Sequence, residues 1–468
     1  MARSRFNGRT PGRTPRRVFV SAIFLLVFCG AAAAQYTDRQ AIDDLGGPQA
    51  FAARRSELAK RCKTGSVILF ARNEIPEAVH YREDNDFYYF TGLQDPGAVM
   101  LLDCQKETVV ILEAEQTPQT AKTYGPNLLA LAPADREALG FKNVTSIANI
   151  DIFLSYTTHG FGPSASKDLW IRLDFPDKAD GARAETGRDN AWKFAHPYHE
   201  PLPSNLAPSK LLLERYPMAN FHDVTPFIDE MRNIKTPQEI EVLRRNGKLS
   251  AEGDKEAIAH ARPGMYQYQI EARATGYFMD HGAQGVAYLA IVSSGADINT
   301  IHYFADRHKI EPNQLVVLDF AASLDHMTMD ITRTFNISGK FTPEQAKWYA
   351  VELEAQKTTI ALLTPGHTYD EASDAGKAIY EKAGIGDQWR GFPGHFVGLA
   401  THDVMRPTGP VKPGQVVTVE PFIDLPDKQM HYRVEDTILI TNGAPENLSA
   451  AIPKEADEVE KLVGSAKD

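Results

Sequence analysis

The sequence predicts an α+β protein of two domains: an α/β unit first, then helices packed on one side of an antiparallel sheet. Three observations carry that expectation. At 468 residues the chain is too long for one ordinary core, so two domains are the natural division. Its first half alternates helix-like and strand-like segments. Its second half opens on a strongly capped helix and holds apolar, β-branched runs spaced as antiparallel pairs.

Residues 1–34 stand apart from both. Arginines at positions 3, 5, 9, 13, 16 and 17 precede an apolar run from Val18 to Phe28, and Gly30-Ala-Ala-Ala-Ala34 follows. A basic stretch, an apolar stretch and an Ala-x-Ala-like site make an export signal cleaved near Ala34. The run is shorter than the ~20 residues of a membrane span, which argues against an uncleaved anchor. Arg16-Arg17-Val-Phe-Val resembles a twin-arginine signal, with general secretion as the alternative. The expected location is periplasmic or extracellular. Cys29 invites a lipid anchor, but the bulky Phe28 before it fits that poorly.

The first domain is expected over 35–215. Ala50–Arg61 has a helical pattern, and four strand candidates follow at Ser66–Phe70, Phe87–Thr91, Ala98–Asp103 and Thr108–Glu113. The stretch Trp170–Pro203, rich in charge, Gly and Pro, reads as loop or insertion. Leu206–Tyr216 reads as a helix, and 216–235 as a linker. Cys62 and Cys104 remain after cleavage; they could form a disulfide in an oxidising compartment or stay as two buried thiols.

The second domain is expected over 236–468. Thr236 can cap a helix, Pro237 suits its first position, and Glu239 closes a capping box ahead of Ile240, Val242 and Leu243. The device recurs at Thr342-Pro343-Glu-Gln345, and more loosely at Thr368-Tyr-Asp-Glu371. Two similar Thr-Pro openings hint at an internal duplication. Leu315–Asp319 is expected against Thr328–Phe335, and Val416–Ile423 against Tyr432–Ile440.

Five residues in these segments form a candidate metal-ligand set: Asp319, Asp330, His395, Glu420 and Glu435. Four carboxylates and one imidazole suit a pair of hard or borderline divalent cations. A carboxylate inside an apolar strand is costly to bury without a compensating charge, and a metal supplies one. Any one of these acids alone would read as a surface residue on an edge strand. Together they read as a two-metal hydrolase. Ten residues separate Asp319 from Asp330, so both can face one spot from neighbouring strands. Arg433 shares the face of Glu435, and His402 follows His395 by seven residues.

These segments resemble the M24 metallopeptidases, the pita-bread family, and within it the Xaa-Pro aminopeptidases. The resemblance runs through Met231-Arg-Asn-Ile-Lys-Thr-Pro-Gln-Glu-Ile-Glu241, Asn299-Thr-Ile-His302-Tyr303 and Asp319 to Phe335. Gly394-His395-Phe-Val-Gly-Leu-Ala-Thr-His402-Asp, Val419-Glu420-Pro421 and Arg433-Val-Glu435-Asp continue it. In the first domain, Tyr81-Arg-Glu-Asp-Asn-Asp-Phe-Tyr-Tyr-Phe-Thr-Gly92 and Asp95-Pro96 resemble the creatinase-like N-terminal domain of aminopeptidase P and prolidase. The resemblance implies two divalent ions, usually Mn2+, with Zn2+ or Co2+ as alternatives. Asp330 and Glu435 would touch both, Asp319 would hold one with both oxygens, and His395 and Glu420 would each complete a site. A water or hydroxide between the ions is the implied nucleophile, with Glu420 its proton acceptor. His302 and His402 match two histidines that contact substrate, and Arg433 an arginine beside the shared glutamate. The implied substrates are peptides with proline second, and the implied assembly is a homo-oligomer, dimer or tetramer.

Alternatives stay open at this point. A prolidase, cleaving only Xaa-Pro dipeptides, shares the ligands and the domain plan. Creatine-type C–N hydrolysis or metal-free peptide binding would use the same fold with ligands lost, and here all five are kept. Two departures bear on specificity: Ala321 stands where the family usually has Gly, and Phe304-Ala-Asp306-Arg307 replaces a segment that commonly holds Asn. A net charge of −11 argues against a nucleic-acid partner, which needs a basic face. No apolar helix after residue 34 offers a membrane span.

Overall fold

The strand Ser66–Phe70 lies inside a six-stranded mixed sheet of the first domain, and all but its last residue is buried. Burial on both faces explains why this strand reads as a continuous apolar run rather than an alternation. It runs antiparallel to Val99–Asp103, which pairs with Thr108–Glu113, beside the parallel edge strand Val144–Ser146. On its other side it pairs in parallel with Asp168–Ile171, and that strand with Asn220–Asp223. The computed structural model describes residues 37–73, 80–159, 166–196, 198 and 206–466. The export signal expected over 1–34 lies outside them. Among the described residues, no helix is long and apolar enough to cross a membrane.

Three expectations for this half are corrected. Phe87–Thr91 is not a strand but most of the helix Asn85–Thr91, every residue of which is buried. Asp84 accepts hydrogen bonds from the backbone of Asp86 and Phe87 at the helix start, and Gly92 closes it at a φ of 68°. A fully buried aromatic run has no polar face, so its composition cannot tell helix from strand; the caps decide it. The stretch 170–203 is more than a loop, since the helix Arg183–Ala195 rises from it. The segment 216–235, expected as a linker, supplies the edge strand Asn220–Asp223 and the helix Thr225–Asn233. Cys62 and Cys104 are buried and free.

In the second domain the three predicted Thr caps all operate. Thr236, Thr342 and Thr368 each open a helix, over Pro237–His260, Pro343–Ala361 and Tyr369–Lys382, with reciprocal bonds to Glu239, Gln345 and Glu371. The first packs on Gln267–Asp280 and the other two on each other, so two helix pairs cover the sheets. Strand Leu315–Asp319 lies between Thr332–Asn336 and Ile291–Ser294, antiparallel to both. The second expected strand pair is broken into two. Val416–Val419 pairs with Asp436–Leu439, while Phe422–Leu425 pairs with Met430–Arg433. The breaks fall at Glu420-Pro421 and at Val434-Glu435, because Pro421 cannot donate to a ladder.

The two domains meet through buried charge. Asp86 of the first accepts from Arg183 at 2.8 Å, from Arg172 at 2.8 Å and from Arg232 at 2.9 Å. Arg232 also donates to Asp177 and to Asp403, each at 2.6 Å. Arg82 reaches across to Ser323 Oγ, His326 O and Leu399 O. These bonds hold the 394–403 loop, which carries two of the candidate histidines.

Candidate metal centre

Each ligand candidate is delivered by a strand end or the turn next to it. Asp319 closes its strand opposite Thr332, and Asp330 lies two residues before Thr332 on the returning chain. Glu435 bridges to Thr332, so three acids gather around one rung of the sheet. Glu420 follows its strand directly. His395 is fixed by its own backbone: its N–H donates to Thr418 Oγ1 at 3.1 Å, and its carbonyl accepts from Thr418 N–H at 2.8 Å. That crossing requires glycine at position 394, where a Cβ would stand 2.1 Å from the Thr418 carbonyl oxygen.

The resulting cluster is crowded with negative charge. Ligand atoms of Asp319, Asp330 and Glu435 lie within 4.8 Å of one another, as do those of His395, Glu420 and Glu435, and those of Asp330, His395 and His402. Asp319, Asp330 and Glu435 are buried. Arg433 Nη2 donates to Asp319 Oδ2 at 2.6 Å, and Thr332 Oγ1 to Glu435 Oε2 at 2.7 Å. Tyr288 Oη stands 2.7 Å from Asp319 Oδ1 and 2.5 Å from Asp330 Oδ1, with one proton to share between them.

Two possible ligand atoms of the cluster stand out. Among the described residues, Glu435 Oε1 and His395 Nε2 are buried and find no hydrogen-bond partner. His395 Nε2 lies 3.2 Å from Glu420 Oε1 and 3.4 Å from Asp330 Oδ2. Nδ1 of the same ring faces the Phe396 carbonyl at 3.2 Å, which makes Nε2 the nitrogen that would give up its proton to a metal. Burial pushes the Asp319 carboxyl up to about 7, with Asp330 adding repulsion and Arg433 opposing it. Burial and the neighbouring Asp330 raise Glu435 as well. Burial would also raise Glu420, but His395, Arg433 and His402 outweigh it and hold that carboxyl at about 2. A site that keeps protons on acids for want of positive charge fits divalent cations.

The other named residues frame the centre. Arg433 touches it directly. The His402 ring stands 4.1 Å from the His395 ring, centroid to centroid. His302 is outside the ligand cluster, on an exposed stretch where its ring stacks at 5.8 Å on Phe304. Burial and the charges of Arg433 and His402 lower its pKa. Two residues here were not anticipated. Tyr288 joins two ligands, and Glu185 of the first domain meets His402 Nδ1 at 2.8 Å. Neither sits in a motif, and only the charge of the 170–203 stretch could have hinted at the second.

Comparison with known proteins agrees with this architecture. Residues 241–442 match the family model for metallopeptidase family M24, and 51–160 match the aminopeptidase P N-terminal domain. The chain is 28% identical to the Xaa-Pro aminopeptidase of Escherichia coli over 470 residues, spanning 90% of this chain and 98% of that one. It is 33% identical to a Xaa-Pro dipeptidase of Pyrococcus furiosus over 236 residues, 49% of this chain and 67% of that one. Zinc-substituted E. coli aminopeptidase P in complex with product superimposes with a TM-score of 0.73 at 27% identity, covering 90% of this chain and 99% of that one. The chain belongs to metallopeptidase family M24, its catalytic domain following an aminopeptidase P N-terminal domain.

Proposed function

We propose that the chain is an exported Xaa-Pro aminopeptidase that binds two divalent ions and releases an N-terminal residue that precedes proline. The observation that carries this reading is the convergence of Asp319, Asp330, His395, Glu420 and Glu435 into overlapping ligand groups. Asp330, His395 and Glu435 each belong to two of those groups, and of the three the two carboxylates have a second oxygen with which to touch a second ion. Similarity to an E. coli Xaa-Pro aminopeptidase over nearly its whole length supports the substrate class. Mn2+ is the proposed metal, with Zn2+ or Co2+ as alternatives.

When bound, such ions supply a water of lowered pKa and stabilise charge developing on the amide oxygen. The chain's own groups do the rest. Glu420, whose side chain is 24% exposed, is the ligand open enough to take a proton at the reacting face. Arg433 holds Asp319 and offsets part of the acid cluster's charge. His402, whose ring lies beside that of His395, and His302 are the histidines we assign to substrate contact.

Residues 1–34 support export, which N-terminal sequencing of the secreted protein checks. We read the assembly as a dimer or tetramer, which light scattering tests. A Xaa-Pro dipeptidase is the second reading, favoured by the 33% identity to such an enzyme over 236 residues. Chelator-stripped protein assayed on Xaa-Pro and Xaa-Pro-Yaa, with and without Mn2+, separates the two. Metal-dependent release of the first residue from the tripeptide supports the aminopeptidase. Cleavage of the dipeptide alone supports the dipeptidase, and cleavage that survives exhaustive chelation would remove both.

A further inference from the structure

Glu185 lies in the opening turn of the helix Arg183–Ala195, in the first domain, yet its carboxylate meets a histidine of the second. His402 Nδ1 stands 2.9 Å from Glu185 Oε1 and 2.8 Å from Oε2. A carboxylate only accepts, so Nδ1 is the nitrogen that carries a proton in this contact. Both partners are pinned. Ala182 N–H donates to Glu185 Oε2 at 2.9 Å. Thr401 N–H, one residue before His402, donates to Ala179 O at 2.7 Å. Asp403, one residue after, is buried in ion pairs with Arg232 and Lys235. Glu185 falls between the two stretches matched by the family models, 51–160 and 241–442.

We propose that Glu185 is a positioning residue for the hydrolysis, holding His402 with Nδ1–H turned to the first domain and Nε2 left for the substrate side of the centre. This role rests on the peptidase reading above. Unheld, an imidazole populates both tautomers and turns about its ring bond; the carboxylate removes both freedoms before a peptide arrives. Through this one side chain, the first domain takes part in the chemistry of the second.

The test has two arms. In 15N-histidine-labelled, metal-free protein, long-range 1H–15N spectra, assigned with H402A, report which His402 nitrogen is protonated. A proton on Nδ1 that is lost or averaged in E185Q supports the proposal. A His402 with bare Nδ1 in the unaltered protein overturns it, whatever the enzyme cleaves. The second arm is kinetic, on Xaa-Pro-Yaa with Mn2+. E185A and E185Q should each lower kcat about 10- to 100-fold, with KM changed less than about threefold and metal content unchanged. E185Q keeps an oxygen for Ala182 N–H and so controls for loss of the helix start. E185A should add less than about twofold in an H402A background. Equal losses in both backgrounds, or E185A within about twofold of the unaltered enzyme, would overturn the proposal. Absence of all peptidase activity with the Nδ1 proton present would instead sink the peptidase reading and leave the contact standing.

Discussion

Arg433 Nη2 stands 2.6 Å from Asp319 Oδ2, and both side chains are buried, 3% and 7% exposed by residue. One guanidinium faces four ligand carboxylates there. A buried excess of negative charge is relieved either by protons or by cations, and the choice between them sets how the metal-free protein responds to pH.

That response has a definite sign. Asp319 rises from 3.8 to about 7 in the folded chain, Glu435 is raised too, and His395 is held well above 6.5 by Asp330 and Glu420 against the effect of burial. Each folded pKa exceeds its unfolded value, so each contribution is complete below the unfolded pKa and is lost as pH rises through the folded one. Glu420, held at about 2, acts oppositely, but only below 4.5. The Tm of metal-free protein should therefore fall between pH 4 and 7, Asp319 alone accounting for something on the order of 4 kcal/mol across that window. Saturating Mn2+ should flatten that fall, because the metal replaces the protons. A metal-free Tm that climbs across this range would refute the assignment.

Asp330→Asn removes one of the crowded charges. Without metal the variant should melt higher than the parent. Its metal-induced Tm shift should vanish, and kcat/KM should drop by roughly a thousandfold or more. Calorimetry with and without Mn2+, alongside metal content, checks all three. A parental Tm shift on adding metal would show that Asp330 is no ligand.

Tyr288→Phe deletes the hydroxyl that joins Asp319 to Asp330 while keeping the ring. Metal affinity should weaken about 10- to 100-fold, the usual cost of losing a partner behind a ligand. Competition with a chromogenic chelator measures it, and unchanged affinity would confine Tyr288 to packing.

Asp86→Ala removes the buried carboxylate that Arg172, Arg183 and Arg232 share at the domain junction. A loss of roughly 3–5 kcal/mol is expected from chemical denaturation. Because Arg232 also holds Asp403, next to His402, kcat should fall while metal content stays whole. A variant as stable as the parent would mean that the junction tolerates the vacancy.

Residue type and local pattern determined much of this protein. The Thr caps at 236, 342 and 368 were legible because a capping box is closed within four residues. The five ligand candidates were legible because acids inside apolar strands are costly enough to demand a reason. The helix Asn85–Thr91 was misread because uniform burial erases periodicity. What only the tertiary structure decided are contacts between distant positions. Tyr288 reaches Asp330 across 42 residues and Glu185 reaches His402 across 217. Such pairs leave no periodic trace, since their meeting depends on how whole strands and helices pack. The acids of the centre can be read singly from their strands, but the crowding that makes them a cation site exists only once those strands lie side by side.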